Sequence, residues 1–177
     1  MFCWRLTASL ALLTLGLAEY VQFVNLSYGD VNFNCPKDQM LSGIFSIYND
    51  LTLDRFWSFG CTPFPFGDKL GDCSWSVDYA NDWTEYSEYQ CPLHAVLAGV
   101  HSTPNKKHGD RRMKFKCCKF SKNILTRCQW SYDLNHYKDS LNFSLPNDTF
   151  PAGMKTDFNE DEKDRIFKIF ICSYSKL

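Results

Sequence analysis

Three segments of this chain share one pattern: a glycine, an Asp-Arg pair that begins eleven positions later, and then a run of alternating apolar residues. The aspartates of the three pairs follow one another at steps of 56 and 54 residues. A pattern that recurs at such a period indicates that one structural unit is used three times. Its members are Gly43 with Asp54-Arg55, Gly99 with Asp110-Arg111, and Gly153 with Asp164-Arg165.

The residues after each pair alternate as a β-strand requires, because successive side chains of a strand point to opposite faces. In the second copy, Arg112, Lys114 and Lys116 form the solvated face. Residues 43–48 and 95–100 predict partner strands, and the polar segments 49–53 and 103–109 predict turns, so each unit contains a hairpin. The predicted inward rows are Arg55, Trp57, Phe59 and Cys61; Arg111, Met113, Phe115 and Cys117; and Arg165, Phe167, Ile169 and Ile171.

A unit of roughly 55 residues has too little apolar surface to fold alone, so the three units should pack around a shared core. We therefore predict an all-β single domain with pseudo-threefold symmetry. A β-prism of three antiparallel sheets is favoured, because each unit has one dominant hairpin, and a β-trefoil is the alternative. The repeats are predicted to span residues 19–70, 71–125 and 126–177.

The first 18 residues have the features of a secretory signal peptide. Arg5 supplies the positive charge, residues 6–17 the apolar stretch, and Gly16-Leu17-Ala18 a cleavage site of small residues. The apolar stretch is shorter than the roughly 20 residues that a membrane-spanning helix needs. We expect the mature protein to begin at Glu19 and to be secreted to the extracellular space or matrix. Three sequons for N-glycosylation fit that destination, at Asn25, Asn142 and Asn147.

Eight of the nine cysteines lie outside the predicted signal peptide, and an even number in a secreted chain indicates disulfides. Positions that are equivalent between units should form equivalent bridges. The predicted bridges are Cys35–Cys61, Cys91–Cys117, Cys73–Cys118 and Cys128–Cys172. An exchange of partners between Cys117 and Cys118 is the main alternative. No pair has the C-x-x-C spacing of a zinc or redox site and the four histidines are scattered, so we expect no metal and no cofactor.

These motifs resemble those of the dermatopontin family. The resemblance rests on FNCPKDQMLSGIFS and DRFWSFGC in the first repeat, on DRRMKFKCC in the second and on DRIFKIFIC in the third, and it extends from Val24 to Cys172. It implies a secreted matrix or adhesion protein that binds proteoglycans, glycosaminoglycans and matrix proteins, with cell-aggregating or lectin-like activity in some members. The long Tyr-rich N-terminal tract of vertebrate members is lacking, since only Tyr20 and Tyr28 precede the first motif.

The Asp-Arg pairs have two interpretations. Three copies could form three equivalent sites for acidic sugars, because an arginine can hold a carboxylate or sulfate with two hydrogen bonds. Alternatively, each arginine begins the inward row and pairs with a carbonyl or an acidic side chain of the next repeat. We favour this structural interpretation, since ligand sites usually decay in some copies of a repeat. The residues concerned are Asp54, Arg55, Asp110, Arg111, Asp164 and Arg165.

The second repeat alone carries a dense run of basic residues, on a predicted loop and on the outward face of the strand after it. Such a patch could bind a sulfated polysaccharide through charge and counterion release, or it could be a solvated face that is balanced by acidic residues elsewhere. The candidate glycan-binding residues are Lys106, Lys107, Arg112, Lys114, Lys116 and Lys119.

The whole chain has a net charge of −1, which gives no general attraction to nucleic acid or to an anionic membrane. No serine-hydrolase, zinc-protease or Cys-His nucleophile motif is present in the sequence, so we do not expect an enzyme. We expect a matrix or adhesion protein that binds acidic glycans, cell-surface glycans or matrix proteins, as a monomer or a homo-oligomer. A haemagglutinin-like lectin of innate defence and a purely structural matrix protein are the alternatives.

Overall fold

The computed structural model describes residues 21–65, 69–120 and 123–176, and the predicted signal peptide lies outside the described residues. Within these ranges the chain forms eleven antiparallel β-strands and no helix, which confirms the predicted all-β class. There is accordingly no helix in these ranges with the length and hydropathy of a membrane span. The strands are β1 (Val31–Asn34), β2 (Gln39–Asn49), β3 (Asp54–Pro63), β4 (Cys73–Trp75), β5 (Ser87–Gln90), β6 (Ala95–Asn105), β7 (Asp110–Lys119), β8 (Asn123–Trp130), β9 (Leu141–Ser144), β10 (Phe150–Asn159) and β11 (Asp164–Lys176).

Three long hairpins, β2–β3, β6–β7 and β10–β11, form the frame of the molecule, and the Asp-Arg pairs begin their second strands. In each hairpin the register shifts by one residue just before the repeated glycine. A side chain at Gly99 would meet the carbonyl oxygen of Phe33 at 2.8 Å, and one at Gly153 would collide with the carbonyl oxygen of Tyr89. In the second and third hairpins the glycine is therefore required because a neighbouring strand passes close to it.

The short strand of each repeat pairs with the hairpin of the next repeat. β1 pairs with β6, β5 pairs with β10, and β9 pairs with β2, which closes the circle. β4 and β8 line the outer edges of β7 and β11. The result is a first sheet (β3-β2-β9), a second sheet (β1-β6-β7-β4) and a third sheet (β5-β10-β11-β8). Three sheets linked by exchanged strands fit the prism-like arrangement; the prism itself and the repeat boundaries at residues 70 and 125 stay predictions.

The inward rows of the three hairpins meet in one core. Phe115 and Phe167 are at most 1% exposed, and Trp57 packs edge-on against Phe167 with ring centroids 5.1 Å apart. Burial of such large apolar side chains is the dominant favourable term in folding. Phe59 and Cys61 of the first inward row are only partly buried. The first sheet also differs in that no described strand pairs with the outer edge of β3, where β4 pairs with β7.

Four disulfides join the strand ends: Cys35–Cys61, Cys91–Cys117, Cys73–Cys118 and Cys128–Cys172. These are the four pairs that the repeat predicts. Cys118 is bridged to Cys73 on the neighbouring strand β4, and Cys117 to Cys91 in the loop after β5, so the structure does not contain the exchanged pairing.

Leu145 and Ile171 of the third repeat occupy the positions of a bridge that the first two repeats contain. They are 26 residues apart, as are Cys35 and Cys61. The backbone N–H of Leu145 donates to the carbonyl oxygen of Ser42 at 2.8 Å, just as that of Cys35 donates to Ala98 at 2.8 Å. Two partly buried apolar residues therefore stand where the first two repeats have a bridge.

Candidate functional site

The Asp-Arg pairs form a closed ring of three ion pairs. Each arginine binds the aspartate of the preceding repeat with two hydrogen bonds, at N···O distances between 2.6 and 2.8 Å. All six side chains are at most 7% exposed. The structural interpretation predicted that the partner of each arginine lies in the next repeat. The partner is instead an aspartate of the preceding repeat, because the exchanged strands bring that repeat against the arginine. The pairs are Arg55–Asp164, Arg111–Asp54 and Arg165–Asp110.

Each aspartate of the ring also holds a loop of its own repeat. Asp54 accepts a hydrogen bond from the backbone N–H of Tyr28 at 2.8 Å, and Asp110 accepts one from Thr84 at 2.8 Å. Asp164 does the same for Lys138 at 2.7 Å. These carboxylates are therefore buried and engaged within the protein, so none of them is free to bind a ligand from solvent.

A tyrosine packs beside this ring. The Tyr48 ring centroid lies 5.6 Å from the guanidinium carbon of Arg55, and its hydroxyl donates to the carbonyl oxygen of Lys163 at 3.3 Å. Burial raises the pKa of Tyr48 to about 12, and the nearby Asp164 contributes in the same direction. The phenol is therefore protonated at neutral pH and acts as a hydrogen-bond donor.

Three buried asparagines repeat with the same spacing as the ring, and the sequence predictions missed them. Asn25, Asn81 and Asn135 are at most 7% exposed. In each asparagine, Nδ2 donates to the carbonyl oxygen of the arginine in the same repeat at 2.9 to 3.0 Å. Its Oδ1 accepts a hydrogen bond from the backbone N–H of the residue two positions after that arginine. Their steps of 56 and 54 residues are the signal that could have found them.

The geometry of Asn25 argues against the glycan predicted there. Its Nδ2, the atom that would carry the glycan, donates to Arg55 at 3.0 Å and to Leu26 at 3.1 Å. Asn142 and Asn147 are exposed. We expect glycans at these two positions and an unmodified Asn25 in the secreted protein. Enzymatic deglycosylation in heavy-oxygen water followed by peptide mass mapping measures this, and a heavy-oxygen label at Asn25 would contradict it.

The predicted basic strand lies on the outer face of the second sheet. Arg112, Lys114 and Lys116 alternate along β7 with buried residues. Alternate residues of a strand are about 6.8 Å apart, so the three side chains form a row about 14 Å long. Three aromatic side chains from β4 and the loop after it, within residues 75–83, flank the row. We call this surface the basic–aromatic face; it consists of Arg112, Lys114, Lys116, Trp75, Tyr79 and Trp83.

Arg112 is held between two aromatic rings. Its guanidinium carbon lies 4.2 Å from the centroid of Tyr79 and 4.5 Å from that of Trp83, which are favourable cation–π distances. Its side chain remains 32% exposed, and its one ionic neighbour among the described residues, Asp82, is 3.7 Å away. The guanidinium is therefore fixed in place with an edge still open to solvent.

The two lysines of the face are each anchored by one hydrogen bond. Lys114 Nζ donates to the carbonyl oxygen of Val77 at 2.6 Å and lies 5.0 Å from the Tyr79 centroid. Lys116 Nζ donates to Asn34 Oδ1 at 3.1 Å. Because an ammonium group has three N–H donors, each lysine retains donors for a ligand.

The other three candidates do not share this face. Lys106 and Lys107 lie in the turn of the β6–β7 hairpin, and Lys106 Nζ is 4.6 Å from the ring centroid of Tyr28. Lys119 is exposed at the far end of β7, on the same side of the strand as the inward row. The structure therefore brings together Arg112, Lys114 and Lys116 and places the remaining lysines at the two ends of the strand.

The outer faces of the other two sheets have a different chemistry. The positions equivalent to the basic row hold Phe56, Ser58 and Gly60 in the first sheet, and Ile166, Lys168 and Phe170 in the third. Phe56 packs on Phe23, with ring centroids 5.7 Å apart, and Phe170 packs on Trp130 at 4.8 Å. Lys168 is paired with Asp133 at 2.9 Å. Of the described sheets, the second alone presents a row of three cations.

The aromatic half of the face was not predicted from the sequence. Trp75 ends β4, and Tyr79 and Trp83 follow it in an irregular segment, so no continuous strand pattern links the three residues to the basic strand. Cys73-Ser74-Trp75 and Cys128-Gln129-Trp130 share a C-x-W pattern that marks Trp75 in the sequence but does not place it beside β7. Within the described parts of the chain, no group of three His, Cys, Asp or Glu residues is placed to hold a metal ion.

The family model for dermatopontin matches residues 25–176, a range that contains the ion-pair ring and the basic–aromatic face. The chain belongs to the dermatopontin family. The match begins at Asn25, the first of the buried asparagines, and ends at Lys176, the last residue of β11, so the dermatopontin model spans the whole framework described above.

Three relatives illustrate the breadth of the dermatopontin family. Dermatopontin of Biomphalaria glabrata is 30% identical over 150 residues, covering 85% of this chain and 99% of the relative. The haemagglutinin/amebocyte aggregation factor of Limulus polyphemus is 30% identical over 154 residues, covering 85% and 86%. Dermatopontin of Homo sapiens is 30% identical over 163 residues, covering 85% and 76%. No solved structure matches the chain.

Proposed function

We propose that this dermatopontin-family protein is a secreted matrix or adhesion protein that binds acidic glycans of the glycosaminoglycan type through the basic–aromatic face. The observation that carries the proposal is the outward row of Arg112, Lys114 and Lys116 on β7. A row of cations on a rigid strand attracts a polyanion, and binding releases the counterions condensed on it.

The aromatic residues support the same ligand class. Tyr79 and Trp83 hold the guanidinium of Arg112 in one orientation, and an arginine binds sulfate or carboxylate through paired hydrogen bonds. Trp75 is 37% exposed, so part of its ring is open to the apolar face of a sugar. Orientation before binding lowers the entropy cost of association.

The protein acts, in this proposal, by binding and not by catalysis. One relative is named for haemagglutination and cell aggregation. The Asp-Arg pairs, the most strongly repeated polar residues of the chain, are buried in the ring of ion pairs. We therefore assign partner binding to the exposed basic–aromatic face. Its partners are proteoglycans, cell-surface glycans or matrix proteins.

Charge reversal at Lys114 and Lys116 should weaken binding to heparin by at least about tenfold at physiological salt. Because two ionic contacts are lost, the slope of log Kd against log salt concentration should also fall by roughly two. Elution from a heparin column and titration at several salt concentrations measure this. The matched control is K155E/K168E, which makes the same change in charge on the outer face of the third sheet. Equal retention of K114E/K116E and the unmodified protein would exclude the proposed face.

A cell-aggregating lectin is the second candidate function, and a cavity on the third sheet favours it. The cavity has a volume of about 210 Å³ and is lined by carboxylates and ammonium groups together. Groups of both signs suit the hydroxyl groups of a neutral sugar, which both donate and accept hydrogen bonds. The charged and aromatic residues of the lining are Tyr86, Asp133, Lys155, Asp157 and Lys168.

A glycan array at two salt concentrations separates the functions. Binding of sulfated glycans that disappears at high salt supports the proposed function. Binding of neutral glycans at both concentrations supports the lectin. Absence of any glycan binding leaves a structural matrix protein whose partners are proteins.

A further inference from the structure

The turns of the three long hairpins lie next to one another at one end of the molecule. An Asp-Arg pair follows each turn directly, and the turns are residues 50–53, 106–109 and 160–163. The last residues of the turns, Leu53, Gly109 and Lys163, line one small cavity beside the ring of ion pairs. A Cβ added to Gly109 would lie 3.3 Å from Cδ of Lys163. The three turns are therefore neighbours around the closed ring.

The three turns also share one backbone conformation. The residues before the turns are Asn49, Asn105 and Asn159. Oδ1 of each asparagine accepts a hydrogen bond from the backbone N–H two residues further on, at 2.9 Å. The last residue of each turn has a positive φ, between 50° and 63°. Equivalent side chains of the three turns therefore hold equivalent places around the ring.

The exposed positions of the three turns differ in charge. Their first two residues are Asp50 and Leu51, Lys106 and Lys107, and Glu160 and Asp161, and all six are exposed. Leu51 is 95% exposed. Within the described parts of the chain, neither these two lysines nor Glu160 and Asp161 have an ion-pair partner. The second turn is therefore basic, the third is acidic, and the first presents an apolar side chain.

We propose that the three turns together form a surface that binds the same surface of a second copy of this chain. A twofold axis that lies parallel to the ring and passes through the first turn maps that turn onto its own copy. The same axis exchanges the second turn with the third. In the resulting dimer Lys106 and Lys107 of each copy face Glu160 and Asp161 of the other. Such a self-complementary contact is the commonest kind in homodimers.

Charge complementarity selects this axis over its two equivalents. An axis through the second turn would set Lys107 against its own counterpart, and an axis through the third turn would do the same for Asp161. Like charges that face each other across an interface oppose association. The axis through the first turn instead brings the two Leu51 side chains together. Asp50, the one charge of that turn, is attracted to Lys138 of its own chain.

A dimer of this form would carry two basic–aromatic faces, because the turns and the outer face of the second sheet are separate surfaces. One particle could then bridge two glycan chains, and binding at two sites strengthens attachment without any new contact at either site. This consequence rests on the proposed function, whereas the dimer itself does not.

Sedimentation velocity over a range of protein concentrations tests the contact. We expect a mass that rises with concentration toward that of a dimer. The ion pairs are exposed to solvent, and the screening length falls from about 10 Å in 0.1 M salt to about 3 Å in 1 M salt. The dissociation constant should therefore increase roughly tenfold between these salt concentrations.

Two charge-reversal variants identify the surface. K106E/K107E makes both charged turns acidic, and E160K/D161K makes both basic. Each variant alone should associate at least about tenfold more weakly than the unmodified protein, because like charges then face each other. An equimolar mixture of the two variants should form a dimer again, since every acidic turn of one variant meets a basic turn of the other.

Two further variants serve as controls. K106E/K107E/E160K/D161K exchanges the charges of the two turns and should dimerise as the unmodified protein does. K114E/K116E alters the basic–aromatic face and should also leave dimerisation unchanged, so failure of the glycan proposal and failure of the dimer can be told apart. A monomer at every concentration, a dimer that persists in K106E/K107E, or a mixture that stays monomeric would each overturn the proposal.

Discussion

Replacement of Arg111 with methionine should lower the free energy of unfolding by about 3 to 5 kcal/mol. Asp54 would then remain buried without the two hydrogen bonds, of 2.6 and 2.8 Å, that it accepts from the guanidinium. The carbonyl oxygen of Gly29 would also lose its bond of 3.0 Å to Arg111. Urea denaturation with the disulfides intact measures the loss.

Two further variants separate the buried charge from the loss of packing. R112M changes the next residue of the same strand, which is partly exposed, and should cost less than about 1 kcal/mol. The double variant R111M/D54N removes both charges and keeps an amide oxygen for the N–H of Tyr28, so it should recover most of the stability that R111M loses. If the free energy of unfolding of R111M lies within about 1 kcal/mol of that of the unmodified protein, the ring does not have the structural role assigned to it.

Replacement of Cys91 with leucine and Cys117 with isoleucine should lower the free energy of unfolding by about 3 kcal/mol. The bridge closes a loop with a sequence separation of 26 residues. In the chain-entropy model such a bridge contributes about 3.5 kcal/mol, and the apolar pair offsets only a little of it. Thermal and urea unfolding of the double variant measure the difference.

The third repeat supplies the reciprocal experiment, because Leu145 and Ile171 stand at the positions of the bridge. L145C/I171C should form a fifth disulfide and raise the free energy of unfolding by about 2 to 3 kcal/mol. Mass analysis of the unreduced protein establishes whether the bridge has formed. Equal stability of C91L/C117I and the unmodified protein would show that the apolar pair replaces the bridge in full.

The strands and their faces were accessible from the sequence because they depend on local rules. The two-residue period placed Arg111, Met113 and Phe115 inward and Arg112 and Lys114 outward, as the structure has them. Equivalent spacing in the repeats led to the four cysteine pairs that the structure contains. Both arguments succeed because side-chain alternation and repeat spacing are properties of the chain itself.

The relations between repeats depended on the tertiary structure. Which hairpin receives β1, β5 or β9 cannot be read from a period, since a short strand offers the same hydrogen-bonding groups to any neighbour. The direction of the arginine pairing follows from that exchange. The same holds for Asn25 and Asn81, whose role depends on a backbone 30 residues away.

For the candidate site, the repeat in the sequence was enough to find the basic strand, because three alternating cations stand where the first copy has none and the third has only Lys168. It was not enough to find Trp75, Tyr79 and Trp83, which reach that strand only when β4 and the loop after it fold across β7. Charge on a strand is a local property, whereas the aromatic surface beside it is assembled from segments that only the folded chain brings together.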